Sequence, residues 1–336
     1  MTVVTPIEEF PADALPADLD TLLAGARPCV LRGLCADWPL VQLARQDDSR
    51  FAQALAGLDS GEPVDTLRLP PEAEGIVGYN DDLSGFSYRH FRVSVTEALQ
   101  RLAACSRNAH PPGIALQSAP IATCLPGMLH THSLPLRLPA ATTPRIWIGN
   151  RVTTPAHFDS SHNIAVALCG QRRFTLFPPE QIGNLYIGPP DFAPTAAAIT
   201  VARLDRPDFQ RFPRLREALE AGQSAVLGPG DAIYIPPVWW HHVESLEQLN
   251  ALVNYWWSTP VVAGEPAQPG LSALMHALLA FSGLPESERK AWQAVFGHYV
   301  FGEDPGTHLP PDRRGVLGPP SADSMQRLKE LARRGL

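Results

Sequence analysis

Lysine is almost missing from this chain. Of 27 basic residues only Lys290 and Lys329 are lysine, so arginine must serve wherever a buried or functional cation is required. Cysteine is scarce as well. Cys29, Cys35, Cys105, Cys124 and Cys169 are odd in number, irregularly spaced and without a C-x-x-C pair. That pattern argues against a disulfide framework and a dithiol redox motif, and it predicts reduced, mostly buried thiols in a cytoplasmic protein. No apolar run reaches membrane-spanning length. The opening MTVVTPIEEFPADALP has acids and prolines where a signal peptide has a basic region and an apolar core, so none is expected. A basic excess is also lacking. The net charge of −7 argues mildly against a phosphate-tracking surface, so nucleic acid is not an expected partner, with a tRNA substrate kept as an alternative. No repeat or low-complexity tract is present.

What is there is the composition of a globular protein, with 45% hydrophobic and 18% charged residues over a length that allows one large domain or a domain with an appendage. Residues 1–27 are acidic and rich in Pro and Ala, with a short helix expected at 18–23. RPCVLRGLCADWPL (27–40) reads as a strand over CVLRGL and then a turn at 37–39. A helix is expected at 51–58, a strand at VDTLRL (64–69) and a polar loop with aromatic anchors at GYNDDLSGFSYR (78–89). Helical spacing over 93–102 has Ser94 as N-cap before Glu97.

From about Gly113 the period changes. GIALQS, PRIWIGN, NIAVALCG, RRFTLFP, QSAVLGPGDAIYIPP and NALVNYWWS are short apolar runs divided by turn residues, as in a sandwich or barrel. NIAVALCGQRRFTLFPP reads as a hairpin-like pair. Residues 180–220 are a Pro-rich insertion, expected with the 60–90 stretch to shape the entrance to a site. After Pro260 the spacing is helical again: LSALMHALLAF, SERKAWQAVFGHYVF and SMQRLKELARRGL. The predicted organisation is a mixed α/β part at 1–110 packing on the core, a β catalytic core at 111–260 and a helical region at 265–336.

TPAHFDSSHNI (154–164) places His157 and Asp159 two apart, which on a strand puts both on one face. Imidazole plus carboxylate suits a divalent first-row metal, and two histidines with one carboxylate form the facial triad of non-haem iron(II) oxygenases. The third ligand must come from elsewhere, and PGDAIYIPPVWWHHVESL offers it. An isolated H-x-D is weak evidence; a buried, metal-free His–Asp pair is about as common. His130 and His132 share the spacing and read as a loop coincidence. His162 reads as a surface residue and Asp231 as a turn residue. An oxygenase of this kind that uses 2-oxoglutarate also needs a cation for the far carboxylate. Arg172 and Arg173 point to opposite faces of their strand, and periodicity does not choose between them.

TPAHFDSSHNI, GQRRFTLFPPEQIGNLY, RPDFQRFP, LGPGDAIYIPPVWWHHVESL and VNYWW, in that order, resemble the cupin-like JmjC proteins, Fe(II)- and 2-oxoglutarate-dependent oxygenases built on a double-stranded β-helix. Within that family the likeness is to the asparaginyl hydroxylase that inhibits hypoxia-inducible factor. RPCVLRGLCADWPL and GYNDDLSGF resemble N-terminal segments of bacterial members, so the likeness covers about 27–258. The resemblance implies a mainly β, jelly-roll core with helical additions. It implies iron(II) held by His157, Asp159 and His241, with His242 facing away, and O2 as oxidant. It implies 2-oxoglutarate bound by Thr154, Asn163, Arg172 and Asn254, with Arg172 where the family has lysine. Ala115 stands where the family often has a tyrosine. Gln117 and Trp256 are the candidate substrate contacts. Trp239, Trp240, Trp256 and Trp257 are each read as core aromatics first and as walls of the metal pocket second. For the C-terminal helices the resemblance implies a homodimer, and their helical spacing fits equally with packing on the chain's own barrel.

Three functions compete. The first is hydroxylation of a C–H bond on a protein or peptide side chain. The second is the same chemistry on a small molecule or tRNA base. The third is a metal- or sugar-binding cupin module without turnover, which Ala115 and Arg172 keep open.

Overall fold

The computed structural model describes residues 4–14, 19–140, 142–194, 197–259 and 270–334. The N-terminal part contains β1 (Thr5–Pro6), β2 (Glu8–Phe10), β3 (Cys29–Leu31), β4 (Val64–Leu69) and β5 (Arg89–Val93). The remaining strands are β6 (Gly113–Pro120), β7 (Pro144–Gly149), β8 (Thr153–His157), β9 (His162–Cys169), β10 (Arg172–Phe177), β11 (Gln223–Leu227), β12 (Ala232–Ile235), β13 (Trp240–Ser245) and β14 (Asn250–Trp257). They form two sheets, one ordered β1-β11-β10-β13-β8 and one β2-β3-β12-β9-β14-β7-β6-β4-β5.

Side-chain alternation makes these two sheets a sandwich. Phe174 and Leu176 of β10, Leu227 of β11 and Val243 of β13 meet Ala165 and Ala167 of β9, Ile233 and Ile235 of β12 and Leu252 of β14 in one buried cluster. The opposite face of the larger sheet, with Ile164, Val166 and Leu168 of β9, is covered by helices. These include α1 (Leu19–Gly25), α2 (Pro39–Ala44), α3 (Asp48–Ala56), α4 (Val95–Cys105), α5 (Ile121–Cys124) and α6 (Met128–Thr131), which contribute Leu22, Leu40, Phe51, Leu99, Ile121 and Met128. Both faces of β9 are therefore buried, which is why IAVALC is apolar throughout. α7 (Leu215–Ala221) packs on the outer side of the smaller sheet, in a cluster with Phe177 and Trp240. A mainly β, cupin-like jelly roll with helical additions is the observed fold.

Ser94 caps α4 with the reciprocal Glu97 bond, as the sequence predicts. Two local expectations fail. β9 and β10 are not a hairpin: they lie in different sheets, and the chain turns the corner at Gly170, whose φ is +69°. The turn expected at 37–39 instead leads into helix α2. Its N-cap, Trp38, has no capping side chain, and His132 from a distant segment accepts the Leu40 N–H at 3.2 Å. Of the H-T-H pair, His130 lies in α6, and His132, just beyond it, is buried as the capping acceptor.

Residues 1–257 form one compact unit and 258–336 a second. Taken by itself, the second unit contains α8 (Gly270–Phe281), α9 (Glu286–Tyr299) and α10 (Ala322–Arg334). No helix among the described residues is long and apolar enough to cross a membrane.

Candidate metal centre

His157 is the last residue of β8 and pairs with His241 of β13. The next pairing is Val243 with Thr154, so three residues of β8 span what two span on β13. This bulge lies on β8. It brings Thr154 and His157, three apart, to the same inner face, where strict alternation would turn one of them out. Asp159 lies just beyond the strand, so the same-strand argument for the H-x-D pair does not hold. A backbone bond holds it instead: the Asp159 carbonyl accepts the Val238 N–H at 2.8 Å. On the outer side Phe158 packs edge-on against Trp240, ring centroids 5.0 Å apart. The residue between the first two ligands and the residue before the third are thus pinned outward together.

The ligand atoms of His157, Asp159 and His241 all lie within 4.8 Å of one another. Among the described residues this is the only such group of three or more. His157 Nδ1 lies 2.9 Å from the Pro155 carbonyl and His241 Nδ1 lies 3.1 Å from that of Trp239. A carbonyl only accepts, so each Nδ1 carries the hydrogen and each Nε2 keeps its lone pair. His241 Nε2 is 3.6 Å from Asp159 Oδ2. Burial, and after it the neighbouring His157, push the His241 imidazole well below its ordinary pKa. The neutral form is the one that ligates. Two locked imidazoles and a carboxylate on one side of a pocket fit a divalent first-row metal such as iron(II).

The triad opens into a cavity of about 330 Å³. All nine residues singled out for the site line it: His157, Asp159, His241, Thr154, Asn163, Arg172, Asn254, Gln117 and Trp256. Arg172 is 6% exposed, and its Nε is buried with no hydrogen-bond partner. Burial lowers its pKa to about 10, so the guanidinium stays charged at neutral pH. Arg173 faces outward to Glu244 at 3.1 Å. Asn254 donates to Asn163 Oδ1 at 2.8 Å across β14 and β9.

Of the four tryptophans near the third ligand, only Trp256 lines the cavity. Its indole Nε1 is buried and unpartnered. Trp147 of β7, which sequence reasoning missed, stands edge-on to it at 5.1 Å and also lines the cavity. Asp65 and His90, paired at 2.9 Å, were missed as well. The signal for Asp65 was available: it shares a face of VDTLRL with Leu67, another lining residue. Ala115 is not on the lining; it packs with Leu67, Leu69 and Tyr88. His162, read as a surface residue, is half-buried. Its Nδ1 is 2.9 Å from the Tyr234 hydroxyl, and its ring stacks on Trp257 at 5.2 Å. Asp231 does serve its turn, accepting from Gly228 N and also from Gly33 N and Arg32.

Comparison with known proteins follows the same line. Residues 16–262, well over half of the chain, match the cupin-like domain family. The chain belongs to the cupin-like domain family. Some curated relatives of this cupin-like protein carry JmjC names. It is 32% identical over 120 residues to the Jumonji C domain-containing protein 5 of Drosophila melanogaster, covering 35% of this chain and 28% of that protein. It is 31% identical over 110 residues to the lysine-specific demethylase JMJ31 of Arabidopsis thaliana, covering 33% and 20%. It is 34% identical over 115 residues to the human HSPB1-associated protein 1, covering 33% and 22%. The matched stretch thus spans less than a third of each relative.

Proposed function

We propose that this cupin-like protein is an Fe(II)- and 2-oxoglutarate-dependent oxygenase that hydroxylates a C–H bond, with a protein or peptide side chain as substrate. The observation that carries the reading is the convergence of the His157–Asp159–His241 donor set and the buried Arg172, whose Nε has no partner, on one cavity. A relative named as a lysine-specific demethylase supports a protein substrate.

In this reading the two Nε2 lone pairs and the Asp159 carboxylate hold the iron. The metal with 2-oxoglutarate and O2 supplies the oxidising chemistry. Arg172 pairs with the far carboxylate of the ketoacid, and Thr154 donates its hydroxyl to the same group. The Asn163–Asn254 pair orients the cosubstrate. Trp147, Trp256, Phe174 and Leu252 exclude water, and Gln117 and Trp256 present hydrogen-bonding groups to the substrate. No general base is required of the protein. The five cysteines, all free and mostly buried, fit a reducing cytoplasm. The exposed apolar faces of α8 and α9 fit pairing with a second copy of the chain.

The test is an anaerobic titration of the purified protein with Fe(II) and then 2-oxoglutarate, followed by the visible charge-transfer band of the chelate. The wild type is expected to develop the band and His157→Ala is not. Iron binding with no band in the wild type would favour a metal-binding module without turnover. With the band established, succinate release on peptides against small molecules and tRNA separates the substrate classes.

A further inference from the structure

A second cavity, about 430 Å³, lies on the other face of the strands that carry the metal ligands. Among the described residues none lines both cavities. The bulge that turns Thr154 and His157 inward leaves Thr153 and Pro155 of β8 facing this second space, and alternation on β13 adds His242. The far walls are the Tyr79–Asn80–Asp81 turn and the segment from Thr200 to Asp205.

His242 is the feature the metal centre does not use. It is 4% exposed, and its Nδ1 is buried without a hydrogen-bond partner. A buried polar atom with no partner costs about 1–3 kcal/mol, so its persistence calls for an explanation. The lining identifies the class of partner. Arg203 forks onto Asp205 at 2.8 and 2.5 Å and reaches Glu74 at 3.0 Å, so its charge is satisfied within the protein. Glu72, Asp81 and Arg211 are exposed. The inner surface is then left with groups of modest polarity. Ser87 and Thr200 donate their hydroxyl hydrogens to backbone carbonyls and each accepts one backbone N–H, from Gly78 and Ala202, which leaves one lone pair apiece. Tyr79 donates to the Phe192 carbonyl at 2.7 Å. Asp205 and Asn80 retain acceptor capacity. An imidazole donates at one nitrogen and accepts at the other in either tautomer, so the ligand group that satisfies it in both is one that does both: a hydroxyl.

We propose that this cavity is a second ligand site for a neutral polyhydroxylated molecule of about monosaccharide size, with His242 hydrogen-bonded to one of its hydroxyls. The volume falls within the range of small-molecule sites, and the apolar parts of Ile76, Leu83, Val201 and Leu204 face the carbon skeleton. The site stands independently of the oxygenase reading, because it shares no lining residue with the first cavity.

Saturation-transfer NMR on the full chain tests it. The probes are glucose, galactose, mannose, ribose and myo-inositol, with glucuronate and glucose 6-phosphate as charged counterparts. Spectra are taken with and without excess Zn(II) and 2-oxoglutarate. At least one neutral probe is expected to bind, to stay bound when Zn(II) and 2-oxoglutarate are added, and to lose affinity at least tenfold in both His242→Phe and Val201→Trp. Val201→Trp fills the space from the side remote from the metal ligands, and decides alone if His242→Phe does not fold. A silent neutral panel, preference for the charged probes, displacement by 2-oxoglutarate, or binding that survives both substitutions would each overturn the assignment.

Discussion

Arg172 and Arg173 are neighbours in the chain with opposite environments. Arg172 is buried in the cavity with its Nε unpartnered, and Arg173 meets Glu244 at 3.1 Å on the outer side. The contrast follows from strand alternation, and it gives Arg172→Met two effects of opposite sign. Without cosubstrate, replacing a buried unpaired charge by an apolar side chain of similar length should raise stability by on the order of 1 kcal/mol or more. Binding of 2-oxoglutarate to the Mn(II)-loaded protein should weaken roughly 30-fold or more, the cost of truncating a buried charge pair. Thermal melts and calorimetry on the one variant check both. A destabilised apo protein with unchanged 2-oxoglutarate affinity would make Arg172 a structural residue.

His132 caps helix α2 from across the fold, and its Nδ1 is 2.8 Å from the Thr131 hydroxyl. His132→Phe should cost about 1–2 kcal/mol, the scale of a lost cap. Burial lowers the His132 pKa below its ordinary value, so the folded state binds its proton less readily than the unfolded chain. The cap's contribution is therefore complete above about pH 6.5 and is lost as the pH falls below it. Denaturation midpoints of wild type and variant should converge on going from pH 7 to pH 5. Parallel curves would exclude titration of His132 as the cause.

Val238 has φ +66° and donates its N–H to the Asp159 carbonyl. A β-branched residue in the left-handed region costs on the order of 1–2 kcal/mol, and here the strain sits between two metal ligands of the candidate site. Val238→Gly should relieve it, offset by greater freedom of the unfolded chain, for a net gain of up to about 1 kcal/mol. Differential scanning calorimetry reads the change. A clear loss would mean that the Val238 side chain contributes packing that outweighs its strain.

Leu271, Leu274 and Leu278 recur at helical spacing on α8 and are all exposed. If the helical unit pairs two copies, Leu274→Glu with Leu278→Glu should convert a dimer to a monomer in light scattering across a dilution series. A wild type that is monomeric at every concentration would end the dimer reading.

Much of the molecule was legible because its signals are local. Apolar runs divided by turn residues marked β7, β10 and β14, the Ser94–Glu97 pair marked the start of α4, and the H-x-D and W-W-H-H stretches marked the ligands. These signals depend on side-chain direction and backbone capping, which neighbouring residues decide. Which of Arg172 and Arg173 would face the cavity was not local, because alternation separates two faces without saying which one is buried.

Three features depended on the assembled fold. Helix α2 exists although no nearby side chain caps it, because His132, distant in sequence, comes beside Leu40. Asp159 takes its place because its carbonyl, beyond the end of β8, meets Val238 in the turn between β12 and β13. The β8 bulge makes one cavity of Thr154 and His157 and leaves Thr153 and Pro155 to the other. The sequence by itself determined which residues are able to ligate, cap or bury. Tertiary structure decided which of them meet, since register and sheet pairing bring together groups that lie tens of residues apart.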